Sequence, residues 1–158
     1  MPKSLTFFMK PVEELCLKYI QKASRILIPF AGEFRFASNN LFGKKEFIYI
    51  DNREDLPEPY LHGDCLSIME SISEKYDLIL SDPPFSFFQA IHTYHQQCCR
   101  ELYDSLLIGG GHVISLGFNS TGMSAQRGYL KKELLIINQG GSHNDLLILV
   151  EQKLTSLF

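Results

Sequence analysis

The stretch with the clearest capacity for chemistry is Ser81-Asp82-Pro83-Pro84-Phe85. It follows Tyr76-Asp-Leu-Ile-Leu80, an apolar run with the length and residue types of a buried strand. In open α/β sheets, ligands bind beyond the carboxyl ends of the strands. Two prolines at that point stiffen the turn and fix the direction of its carbonyls. Asp82 adds a carboxylate, and Phe85 adds a flat apolar face. Acceptors beside an aromatic plate suit a planar ring that bears an amino group. The same residues also fit a plain strand stop followed by a core phenylalanine, and the tetrapeptide alone does not choose between the two.

Other polar residues recur at predicted strand ends. Gly32 interrupts the run Arg25-Ile-Leu-Ile-Pro-Phe30, and Asp51 closes Phe47-Ile-Tyr-Ile-Asp51, 19 residues after Gly32. That offset is near the ~20 residues at which a second-strand acid meets ribose hydroxyls in dinucleotide folds. Gly63-Asp64-Cys65 follows Tyr60-Leu-His62, a brief predicted strand. His92, His95 and Cys99 share one face of a predicted helix and have zinc-ligand chemistry together with His62 or Cys65. Packing of that face against the sheet is the commoner arrangement, and no metal is expected.

The elements that must position these residues alternate helix and strand, which predicts an α/β domain with a mostly parallel sheet. A helix is predicted to start at Pro11, with Val12, Leu15, Cys16, Tyr19 and Ile20 at helical spacing. A short helix is expected from Gly32 to about Leu41, a loop over Asn52–Pro59 and a short helix over Leu66–Ser73. A long helix is expected from Phe87 to Leu107, ended by Gly109-Gly110-Gly111. The remaining strands are predicted at His112–Leu116, Leu134–Ile137 and Leu146–Val150, the last two paired antiparallel across a short link. The polar stretch Asn119–Gly128 is expected at the carboxyl edge, as part of a substrate wall.

Composition bounds what this sheet serves. The 158 residues are 45% hydrophobic and 21% charged, which suits one globular core and excludes a disordered chain. No run approaches the ~20 apolar residues of a membrane span, and Met1–Lys10 has no secretory h-region. A cytoplasmic location with four reduced cysteines is therefore expected. The net charge of -3 argues against a dedicated nucleic-acid binder, so a grip on DNA or RNA would be local or shared with a protein partner. Lys44-Lys45, Arg127 and Lys131-Lys132 are modest basic spots.

Leu78-Ile-Leu-Ser-Asp-Pro-Pro-Phe85 resembles the catalytic motif of S-adenosylmethionine-dependent amino methyltransferases, which include the adenine-N6 methyltransferases of DNA and RNA. Weaker likenesses follow in the family's order. Phe8-Met-Lys10-Pro11 looks like the segment flanking the cofactor's methionine end, and Ile28-Pro29-Phe30-Ala31-Gly32-Glu33-Phe34 like the loop after the first strand. Gly63-Asp64-Cys65 resembles the motif that brackets the cofactor's adenine. The resemblance implies a Rossmann-like class I methyltransferase with seven strands, mostly parallel with an antiparallel last strand, and helices on both faces. It implies S-adenosylmethionine as cofactor and adenine N6 in DNA or RNA as acceptor; DNA members usually carry a separate target-recognition domain, but the seven strands take up 1–158, so a single methyltransferase domain without one is expected. Protein lysine or another RNA as acceptor, and a catalytically silent subunit that scaffolds nucleic acid, remain alternatives. Asp82, Pro83, Pro84 and Phe85 would carry catalysis. Phe8, Lys10, Pro11, Pro29, Phe30, Ala31, Gly32, Glu33, Asp51, Asp64 and Cys65 would hold the cofactor. The chain departs from the family at two positions: Ile28 stands where an acid is usual, and Phe34 where a second glycine is usual.

Overall fold

The computed structural model describes residues 7, 9–33, 43–56, 60–82, 96–117, 120–141 and 144–155. Helix α1 (Lys10–Ile20) begins with Pro11 in its first turn and buries Val12, Cys16, Tyr19 and Ile20. A short turn then enters β1 (Arg25–Pro29), which pairs in parallel with β2 (Glu46–Asp51). β3 (Tyr60–His62) and helix α2 (Cys65–Ser71) lead to β4 (Tyr76–Ser81). Helix α3 (Gln96–Leu106) runs directly into β5 (Leu107–Gly117), and β6 (Tyr129–Ile137) and β7 (Leu146–Lys153) complete the sheet. The seven strands lie in the order β3-β2-β1-β4-β5-β7-β6. All pairings are parallel except those of β7 with β5 and β6. The expected fold class is thus observed, including the antiparallel last strand.

The central strands are apolar throughout because both faces are covered. Alternation sends Ile26, Ile28, Leu78 and Leu80 to the core under α1. It sends Leu27, Ile50 and Ile79 to the core under α2 and α3, where Cys65, Met69, Cys99, Tyr103 and Leu106 meet them. No helix among the described residues is long and apolar enough to cross a membrane.

Two boundaries differ from those expected. Gly109–Gly111 lie within β5 and do not end a helix. The β4–β5 register passes from Tyr76↔Leu107 to Leu78↔His112, so the glycine stretch forms an irregular bulge. A Cβ on Gly111 would lie 2.9 Å from the Asp77 carbonyl, so its role is close approach between strands. β6 begins at Tyr129, well before Leu134, because Lys131 and Lys132 on this edge strand face solvent and mask the apolar alternation. Of the helix expected over Phe87–Leu107, the described part, Gln96–Leu106, is helical, and 87–95 lie outside the described residues.

The link from β5 to β6 is irregular in its described part. Its described part holds one 3₁₀ turn, Ala125–Arg127, and no α-helix. The fully buried carboxylate of Glu151 on β7 fixes it, accepting from the backbone N–H of Met123 at 2.6 Å and Ser124 at 3.4 Å. Leu134 and Ile136 share a face with Leu149 and Leu147 of β7, and with no helix among the described residues over them they are 48% and 56% exposed.

Candidate active site

β1 and β4 are neighbours at the point where the strand order reverses, the position at which open α/β sheets bind ligands. Phe30–Glu33 follows the first of these strands, and Asp82 follows the second. Phe30 takes a φ of 57° and Gly32 one of 56°. The left-handed region costs a non-glycine residue ~1–2 kcal/mol. That strain is held by contacts around it: Phe30 packs on the α2–α3 core, and the Ala31 N–H donates to the Ile50 carbonyl at 3.1 Å.

Asp51 does more than end β2. Its Oδ2 accepts from the Gly32 N–H at 2.7 Å and its Oδ1 from the Arg53 N–H at 3.0 Å. Its carbonyl accepts from the Gly63 N–H at 3.0 Å. One residue therefore joins the ends of β1, β2 and β3. Asp51 is only 8% exposed. Each carboxylate oxygen thus spends one lone pair on the protein's own backbone and keeps a second.

Arg53 was not singled out by the sequence, although the spacing Asp51-x-Arg53-x-Asp55 was a signal. Its guanidinium bridges Glu33 at 3.2 Å and Asp55 at 2.6 Å, tying the loop after β1 to the loop after β2. The hydrogen bond from Arg53 holds the Asp55 carboxyl below its ordinary range. The Arg53 carbonyl is 2.8 Å from Nδ1 of His62. Glu33 is thus already paired, and Ile28 is wholly buried under α1, so neither stands as a free acid in the first loop.

Asp64 caps α2, its Oδ2 accepting from the Ser67 N–H at 2.9 Å and Ser67 Oγ at 2.8 Å. The residue is exposed, and its Oδ1 has no hydrogen-bond partner among the described residues. Cys65 turns inward: its thiol faces the Ile50 carbonyl at 3.6 Å, and burial pushes it up to about 12. Pro29 is likewise a buried strand residue, and Ala31 is buried in the core under α1. The side chains of these three residues therefore pack into the core. Lys10 and Pro11 are exposed on the first turn of α1, with Lys10 4.0 Å from Glu14. Phe8 lies outside the described residues, as do Phe34, Pro83, Pro84 and Phe85.

Asp82 is half-buried, with Oδ1 shut off from solvent. Strand alternation directs Ser81 to the α3 face and Asp82 to the α1 face. Consistent with this, the Cys16 thiol on α1 is pushed up to about 12, first by burial and then by the charge of Asp82. Ser81 Oγ lies 2.7 Å from the Tyr103 hydroxyl of α3, a contact the sequence did not signal.

The zinc arrangement is not assembled among the described residues, which contain no group of three metal-ligating side chains. Cys99 is buried, and His92 and His95 lie outside the described residues. Segment 120–128 also departs from the expected substrate wall. Its anchors, Glu151 to Met123 and Leu154 N–H to the Gly128 carbonyl, draw it down the sheet away from the carboxyl edge. Three residues of the basic spots are engaged internally, while Lys44 and Lys132 are exposed. Lys45 donates to the Gln21 carbonyl at 3.0 Å, Lys131 donates to the Ser120 carbonyl at 2.6 Å, and Arg127 pairs with Glu101 at 3.5 Å.

No protein-family model and no curated protein matches the sequence. Solved structures do match in shape. TrmN from Thermus thermophilus aligns at a TM-score of 0.67 and 20% identity, covering 91% of this chain and 49% of TrmN, so the chain spans about half the length of that protein. The N-methyltransferase NodS from Bradyrhizobium japonicum aligns at 0.68 and 11% identity, covering 95% of this chain and 98% of NodS. The 1,6-didemethyltoxoflavin-N1-methyltransferase of Burkholderia thailandensis, solved with S-adenosylhomocysteine, aligns at 0.66 and 14% identity, covering 93% and 78% respectively. The chain therefore has the Rossmann-like fold of these methyltransferase structures.

Proposed function

We propose that the chain is an S-adenosylmethionine-dependent methyltransferase acting on an exocyclic amino nitrogen, adenine N6 of DNA or RNA being the acceptor its motif fits best. The observation that carries this reading is that Asp82 and the strained Phe30–Glu33 loop follow adjacent strands, β4 and β1, at the reversal point of the sheet. The edge has groups that suit the cofactor. The exposed Asp64 carboxylate suits an adenine amino group, and the remaining lone pairs of Asp51 suit ribose hydroxyls. Positive-φ backbone at Phe30 and Gly32 suits close approach of a ligand.

The cofactor supplies a methyl group already activated on a sulfonium. An exocyclic amine is a weak nucleophile because its lone pair is delocalised into the ring. Asp82 and the Pro83 carbonyl accept hydrogen bonds from that amine and favour a more tetrahedral nitrogen. Phe85 stacks on the ring and orients it. Catalysis is then mostly positioning and electrostatics. A base in a duplex must first flip out, at a cost of a few kcal/mol. With a net charge of -3 and only modest basic spots, single-stranded or RNA acceptors are favoured over naked duplex.

The decisive experiment is calorimetric titration with S-adenosylmethionine, followed by transfer of labelled methyl to RNA, single-stranded DNA, duplex DNA and protein extract. Binding with transfer to nucleic acid supports the reading, and transfer to protein alone moves the acceptor to an amino group such as that of lysine. Absence of binding at millimolar cofactor favours a silent scaffold. Buried Ile28, in place of the family's acid, is the observation on that side.

A further inference from the structure

Building on the methyltransferase reading, we infer that Tyr103 is a positioning residue for Asp82, acting through Ser81. Ser81 is the last residue of β4, and its Oγ lies 2.7 Å from the Tyr103 hydroxyl. The two residues are 2% and 4% exposed. The Tyr103 hydroxyl also meets the Cys99 side chain, while Leu27, Ile79, Leu106 and Val113 make the surrounding core apolar. A buried hydroxyl is costly to leave without its partner, and Ser81 Oγ, shut off from water, loses this one when the Tyr103 hydroxyl is removed. The pair therefore ties the carboxyl end of β4 to α3. Asp82 is the next residue, and Pro83 after it narrows the backbone angles through which a displacement could relax. On the opposite face, the effect of Asp82 on the Cys16 thiol marks α1 as its other neighbour. The acid is thus held between a helix on each face of the sheet, and Tyr103 supplies the polar anchor on one of them.

A misplacement of ~1 Å at a reacting group can cost ~100-fold in rate, so loss of this anchor should be read in turnover. The test compares Tyr103→Phe, Ser81→Ala and the double variant, with the aspartate carboxyl carbons labelled for NMR. In Tyr103→Phe the Asp82 carboxyl resonance should move while that of Asp51 stays. kcat should fall ~10- to 100-fold with KM for cofactor and acceptor within about twofold. The double variant should regain most of the lost melting temperature, because neither partner is left unpaired, yet keep the low kcat. An unmoved Asp82 resonance overturns the inference. So does a kcat equal to the wild-type value, or a double variant that recovers turnover together with stability. If the wild-type protein transfers no methyl to any acceptor, the functional reading fails on its own, and the resonance comparison alone decides whether Tyr103 positions Asp82.

Discussion

Asp51→Ala should lower both stability and cofactor affinity, because the carboxylate is a clasp as well as a candidate ribose acceptor. The substitution removes the acceptor for two backbone donors, Gly32 at 2.7 Å and Arg53 at 3.0 Å, from a residue that is 8% exposed. Hydrogen bonds to a charged group contribute ~1.5–3 kcal/mol each. Gly32 is only half-buried, so water recovers part of one bond, and the expected net loss is about 2–4 kcal/mol. In a domain of ~150 residues each kcal/mol shifts Tm by about 2–4 °C, which gives a fall of about 5–15 °C. Freed of its clasp, the Phe30–Gly32 turn also loses its fixed shape, and the loss of a charge-assisted bond to the ribose should weaken cofactor binding by ~1–3 kcal/mol. Thermal unfolding and calorimetric titration on the same preparation separate the two effects, with Asp51→Asn as the milder comparison. Lost affinity at an unchanged Tm would refute the clasp. A lowered Tm with unchanged affinity would refute the placement of the cofactor beside Asp51.

Asp82→Ala should abolish methyl transfer while cofactor affinity stays within a few-fold, and Phe85→Ala should cost less, ~1–3 kcal/mol for lost stacking; labelled-methyl transfer checks both. Gly122→Ala should destabilise by more than ~3 kcal/mol, since its Cβ would lie 2.0 Å from Glu151 Oε2 at a φ of +56°; urea unfolding measures it. His112 is held below its ordinary value of 6.5 by burial first and then by Lys132 and Lys22. The unfolded chain therefore binds this proton more readily, so the contribution to stability is present above about pH 6.5 and lost as pH falls through the lowered value. Unfolding curves between pH 5 and 7 should steepen in this sense, and His112→Asn should flatten the slope.

Much of the architecture was legible along the chain. Ile26–Ile28 and Leu78–Leu80 announce strands buried on both faces, and their order with the intervening helices predicts the sheet that is observed. Asp51, Asp64 and Asp82 were legible as acids at or just past strand ends because each follows a predicted strand, where the apolar run gives way to polar residues. Local pattern could not separate a glycine that turns the chain from one that lets two strands approach. Gly109–Gly111 depend on where the Asp77 carbonyl lies, which is a long-range fact. Nor could it show that Cys65 and Pro29 face the core while their neighbours face the edge, or that Asp51 is shared among three strand ends. The Ser81–Tyr103 contact spans 22 residues, and the Glu151 anchor of the β5–β6 link spans 28. The sequence carries periodicity and residue chemistry, so it determines which elements form and which acids reach the strand ends. Which backbone donors those acids meet is set only when the strands come side by side, and the tertiary structure alone decides that.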